Sequence, residues 1–154
     1  MTLSARLVID RPRNLTIGIL GSYGGLNIGD EAILVCVLRC LRALRPSARI
    51  VVFTRNSPDG KHYACGAETV AWEGVGRGPV LEAVAELDVL ILGGGGVLYD
   101  REARRYLQLV AAAQDRGIAT FGYAVGAGPL QEPEDRAAVR TTLNQMTDLV
   151  VHTC

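Results

Sequence analysis

At 154 residues the chain has the length of one domain, enough to bury about two-thirds of its unfolded surface around a single core. Apolar residues make up 49% and aromatic ones only 5%, so the interior has to be built from Val, Leu, Ile and Ala, a composition suited to strands covered by helices on both faces. Lys plus Arg and Asp plus Glu are both 16, which excludes a global field that would recruit nucleic acid or an anionic membrane.

The N-terminal stretch MTLSARLVIDRPRN carries Asp10 and three arginines. They interrupt any apolar run, so neither a signal peptide nor a transmembrane span is readable there. Residues 1–14 are read as an extension, and a cytoplasmic protein is the default. LTIGILG, residues 15–21, is a first strand, followed by the glycine-rich GSYGGLNIGDEA and a helix over residues 30–45 that Pro46 ends. ARIVVFT, residues 48–54, is a second strand. RNSPDGKHYACGAETVAW is the least regular segment, with a turn at Ser57, Pro58, Asp59 and Gly60 and a weak third strand at residues 68–71.

A helix over residues 78–86 leads into the continuous apolar run 87–92, typical of a central parallel strand. GGGGVLYD follows as a loop, then a helix over residues 101–116 closed by Gly117. IATFGYAV, residues 118–125, is a fifth strand with GAGPL as its loop. Pro133 opens a helix whose first turn is acidic, as the helix dipole favours, and DLVVH is a sixth strand. Six strands separated by helices predict an α/β fold, a doubly wound, mostly parallel open sheet of the Rossmann-like kind.

Cys36, Cys40, Cys65 and Cys154 form no CxxC pair, and only His62 and His152 stand beside them, so no metal site is expected. Cys36 and Cys40 are four residues apart on one helix face and are expected in the core as reduced thiols.

In such sheets ligands collect outside the carboxyl ends of the strands, where strand order reverses. If strands one, four and five are neighbours, the three glycine-rich loops converge on one crevice. The dinucleotide fingerprint is absent: after Gly21 the glycines fall at 24, 25 and 29, and the second strand runs into Arg55 and Asn56 rather than an acid. There is no P-loop either. Asp30 and Glu31 occupy the helix end that a phosphate would need. The first loop therefore reads as facing hydroxyls, with Asn27 and Asp30 as acceptors; the plainer alternatives are a left-handed turn at Asn27 and an N-cap at Asp30. In the second loop, Asp100 precedes Arg101, Arg104 and Arg105, which either hold a phosphate or carboxylate or form a solvated face paired with Asp100 and Glu102. In the third, Gly126 and Gly128 allow close backbone approach and Pro129 fixes the turn. Tyr123 is a hydrogen-bonding lid or a core aromatic, the core being favoured.

With these residues assembled, the chain resembles the polysaccharide pyruvyl transferase family. The resemblance rests on GSYGGLNIGDEAIL after the first strand, on DVLILGGGGVLYD with Arg104 and Arg105 beyond it, and on YAVGAGPL at the fifth, in the family's order and spacing. It implies a two-domain glycosyltransferase-type (GT-B) protein that moves pyruvate from phosphoenolpyruvate onto two hydroxyls of a sugar, as a cyclic ketal. The acceptor would be a cell-wall or exopolysaccharide precursor, a glycan or lipid-linked sugar, and no cofactor is needed. By position the resemblance assigns Gly24, Gly25, Asn27 and Asp30 to the first-loop motif. It assigns Gly94, Gly95 and Asp100 to the second, and Gly126 and Gly128 to the third.

Ketal formation needs a base near the hydroxyls and cations near carboxylate and phosphate. Asp30 is the candidate base and Arg104 or Arg105 the cation, although a helix N-terminus should lower the pKa of Asp30 and weaken it as a base. Two departures stand out: Ala124 and Val125 replace a common Gly-Gln, and the family pattern continues past the sixth strand where this chain has His152, Thr153 and Cys154. Residues 15–154 are thus expected to be the N-terminal domain with the second domain absent. Such a half would be inactive alone, with its cleft face open to self-association and a location either cytoplasmic or peripheral to the inner membrane face. The competing readings are a stand-alone nucleotide- or sugar-binding module and a nonfunctional remnant.

Overall fold

A computed structural model of the chain describes residues 14–25, 27–55 and 63–151. Six strands and four helices follow one another as β1 (Thr16–Leu20), α1 (Ile28–Leu44), β2 (Arg49–Thr54), β3 (Glu68–Ala71), α2 (Arg77–Ala85), β4 (Val89–Leu98), α3 (Asp100–Gln114), β5 (Ala119–Ala127), α4 (Pro133–Asn144) and β6 (Asp148–Val151). The strands form one sheet in the order β3-β2-β1-β4-β5-β6, and every neighbouring pair is parallel. The strand order reverses at β1/β4, as the doubly wound arrangement requires.

The two faces follow from the alternation of side chains along each strand. Ile19 of β1 and Ile50 and Val52 of β2 pack under α1 with Leu34, Val37 and Leu38. Leu20, Val51, Phe53, Leu90 and Leu92 point to the other face, which α2, α3 and α4 cover through Val80, Val84, Tyr106, Val110 and Val139.

Four sequence expectations change. The run expected to end at residue 92 continues as strand to Leu98, because the glycines pair with an equally extended β5: Gly93 with Tyr123, Gly95 with Val125, Gly96 with Gly126. The expected second loop is thus largely ladder, and the third gives up its first two residues to β5. Helix α1 begins two residues early, because Asn27 caps it: its side chain accepts from the Gly29 amide at 3.0 Å with backbone angles of −84° and 106°, extended rather than left-handed. Cys36 and Cys40 are exposed free thiols rather than core residues, since the buried stripe of α1 runs through Leu34, Val37 and Leu38. Tyr123 is 47% exposed, outside the core. The turn at residues 57–60, His62, His152 and Cys154 lie outside the described residues.

Candidate functional site

Adjacency of β1, β4 and β5 brings the three glycine-rich segments to one place at the carboxyl edge of the sheet. Contacts between them are direct. The hydroxyl of the fully buried Tyr23, in the β1–α1 turn, donates to the Gly93 carbonyl of β4 at 2.8 Å. A β-carbon at Gly94 would press on that hydroxyl, and one at Gly95 would collide with the Asp30 carboxylate. Both glycines hold positive φ, 74° and 83°, which side chains disfavour. Farther out, the Gly128 amide donates to the Leu98 carbonyl at 3.0 Å. Asp100 is tied to the same third segment: its amide donates to the Pro129 carbonyl at 3.1 Å, and its Oδ1 accepts from the Gln131 amide at 3.4 Å. Gly126 lies against the Gly95 carbonyl.

Asp30 and Glu31 stand in the first turn of α1, only 7% and 2% exposed. Glu31 Oε1 accepts from the Gly24 amide at 2.7 Å, fastening the glycine turn over the helix end, while Oε2 is buried without a partner among the described residues. Burial raises the pKa of Asp30 above the ordinary carboxylate value, against the opposing pull of a Ser22 hydrogen bond and the Arg55 charge. The expected lowering is corrected: desolvation by burial outweighs the groups that favour the charged form. Burial also raises Glu31, with the Asp30 charge adding to it and the Gly24 and Gly25 amides opposing. An acid held this way is a stronger base once ionised than a solvated one.

The sequence-predicted residues do not all gather. Gly24, Gly25, Asp30, Gly94, Gly95, Gly126 and, through the third segment, Asp100 and Gly128 belong to the convergent group. Asn27 spends its side chain on the helix cap and is exposed. Arg104 reaches α4 instead, pairing through Nε with the fully buried Asp135 and through Nη2 with Glu134 at 3.1 Å. Arg105 pairs with Glu73 at 2.7 Å and Glu102 at 3.3 Å and stacks 5.3 Å from the Trp72 ring. Of the three arginines, Arg101 alone carries no acidic partner among the described residues, and it is exposed.

Sequence reasoning left out Tyr23, Glu31 and Arg55 as site residues. Tyr23 sits inside the quoted glycine motif and Arg55 ends the second strand, so position could have nominated both; their contacts are non-local.

The polysaccharide pyruvyl transferase family model matches residues 27–151. The chain belongs to that family. The match spans α1 through β6 and so includes the acid pair, the β4 glycines and the β5 segment that meets them. No curated protein matches the chain. Among the described residues no helix is long and apolar enough to cross a membrane.

Proposed function

We infer that the chain takes part in pyruvyl transfer from phosphoenolpyruvate to two hydroxyls of a sugar in a cell-wall or exopolysaccharide precursor, with ketal formation, and that the crevice at β1, β4 and β5 is its acceptor side. Asp30 is the group assigned to receive a hydroxyl proton. The observation that carries this reading is the buried, desolvated Asp30 seated against the β4 glycines in a chain of this family. A carboxylate of raised pKa accepts a proton from an attacking hydroxyl better than a surface one, and Gly96, next along β4, has open space where a side chain would stand.

Charge supports the acceptor assignment. Arg104 and Arg105 are already matched by Asp135, Glu134, Glu73 and Glu102, so they fit a scaffold role better than a donor-binding one. The donor's remaining contacts are expected from outside the three glycine-rich segments.

The test is an amide NMR titration of the chain with nucleotide-activated sugars, the free nucleotide and phosphoenolpyruvate. Sugar-dependent shifts at Gly24, Gly94, Gly95 and Gly126 are expected; saturation by the nucleotide alone, with no sugar contribution, would favour a nucleotide-binding module. Phosphate release from phosphoenolpyruvate with acceptor present measures transfer wherever it occurs. There Asp30→Asn should slow it by about 100-fold or more, the lower range for losing a general base. An undiminished rate removes Asp30 from that role.

A further inference from the structure

On the β2 side of the crevice a second polar cluster stands at the carboxyl ends of β2 and β3. Arg55 follows β2 directly and lies against Gly25, its Cδ 3.4 Å from where a β-carbon of that glycine would sit. Its amide donates to the Tyr23 carbonyl at 2.9 Å, which fixes the base of the side chain to the same glycine turn that holds Asp30. The buried Tyr106 hydroxyl of α3 partners its guanidinium. Trp72 stacks against Tyr106, ring centres 5.0 Å apart, and Arg105 covers Trp72.

One acid, Glu73, lies between the two arginines and is shared unequally. Its Oε1 is 2.7 Å from Arg105, while its Oε2 is 3.5 Å from Arg55 Nε. Arg105 has Glu102 as a second acid; Arg55 has Glu73 only among the described residues. Two buried N–H donors in this cluster make no hydrogen bond among the described residues: Trp72 Nε1, and Arg55 Nε, whose approach to Glu73 at 3.5 Å is too poor to count as one. Buried donors without acceptors are costly, at about 1–3 kcal/mol each, and native clusters seldom keep them unless something completes the set. The Arg55 side chain is 31% exposed while its Nε is covered, so the rest of the side chain remains open to a ligand.

We propose that Arg55 is the anion contact of this crevice and takes a phosphate group of the ligand where it lies against Gly25. The shared chemistry is a phosphate ester, which either the phosphoenolpyruvate donor or a phosphorylated or nucleotide-linked sugar acceptor supplies. The α1 helix end is closed to phosphate by two carboxylates, and Arg55 offers a guanidinium against Gly25 whose acid is mostly spent on a neighbour. A fork-shaped cation suits phosphate oxygens, and Gly25 leaves no side chain in the way. The proposal rests on the crevice being the ligand site, and it adds a charge requirement to the substrate.

Isothermal titration of the full chain with inorganic phosphate, phosphoenolpyruvate, a nucleoside diphosphate sugar and the neutral methyl glycoside of the same sugar tests it. Arg55→Ala should weaken at least one phosphate-bearing probe by about 10- to 100-fold, the range of a charge-assisted hydrogen bond, and leave the glycoside unchanged. Circular dichroism confirms folding; should Arg55→Ala fail to fold, Arg55→Gln serves, with the same loss expected. A loss confined to phosphoenolpyruvate names the donor phosphate, and one confined to the sugar nucleotide names the acceptor's; either supports the contact. Equal affinity in wild type and variant overturns it, as does absence of binding by every phosphate-bearing probe to the folded wild type. The two readings fail separately: sugar-dependent shifts at Gly94 and Gly95 with Arg55-independent phosphate affinity sink this contact alone, and an Arg55-dependent phosphate site without those shifts sinks the acceptor reading alone.

Discussion

The carboxylate of Asp30 occupies the space that a side chain at Gly95 would fill. One residue comes from the first turn of α1 and the other from the middle of an extended β4, 65 positions later in the chain. Burial of the acid and bareness of the glycine are therefore a single packing event.

Replacing Gly95 by alanine meets that relationship directly. The new methyl group collides with Asp30, and φ of 83° is unfavourable for a residue with a β-carbon. Left-handed backbone costs about 1–2 kcal/mol and overpacking about 1–3 kcal/mol. Gly95→Ala should thus lower stability by roughly 2–5 kcal/mol, read from urea unfolding midpoints. A midpoint within error of the wild type would mean that the carboxylate is free to swing away.

Glu31 gives a pH-dependent outcome whose sign is fixed. Its pKa is raised in the folded chain, first by burial. Such a group contributes stability that is fully present below its unfolded pKa, about 4.3, and is lost as pH rises through the folded value. Glu31→Gln keeps an oxygen for the Gly24 amide and removes the charge. The variant should gain stability relative to wild type as pH climbs from about 4 towards neutrality, starting from its unfolded pKa. Denaturation series at closely spaced pH values check this, and a variant losing ground with rising pH would contradict it.

Arg104 should behave as scaffold. Its Nε faces the fully buried Asp135, whose other oxygen has no partner among the described residues. Arg104→Ala strands that buried acid, and a lower urea unfolding midpoint than wild type is expected. Phosphoenolpyruvate affinity, measured by titration on the same variant, should stay within about twofold; a drop of about fivefold or more, about 1 kcal/mol, would return Arg104 to the ligand site.

Ala124 offers a stabilising change. It holds φ of 52° where the β5–β6 pairing shifts register, a conformation that glycine adopts freely. Ala124→Gly should raise stability by about 0.5–1 kcal/mol, the left-handed strain relieved less the added chain entropy. Differential scanning calorimetry is sensitive enough to see it.

The order and type of the elements were legible because apolar runs and breakers alternate along the chain. Even the weak strand at Glu68–Ala71 forms, paired with β2. Boundaries failed at β4 and β5, where glycine runs look like loops in isolation and become ladder only because each supplies the other's hydrogen bonds. Site membership was half readable. The glycine motifs announced the convergence, while the contact between Asp30 and Gly95 is one no local pattern encodes. The arginines show the same limit: which acids claim Arg104 and Arg105 is decided by α4 and by Glu73, far off in sequence.

A glycine run usually suggests a hinge. Here Gly93 and Gly94 are crowded by the Tyr23 hydroxyl, Gly95 by Asp30, and Gly126 by the Gly95 backbone, so the run works as a keyway with its key already seated. A ligand entering such a cleft finds its floor set in advance and forfeits little ordering entropy on arrival. Selectivity on this side of the cleft then falls to groups outside the floor, of which the partly exposed Arg55 is one.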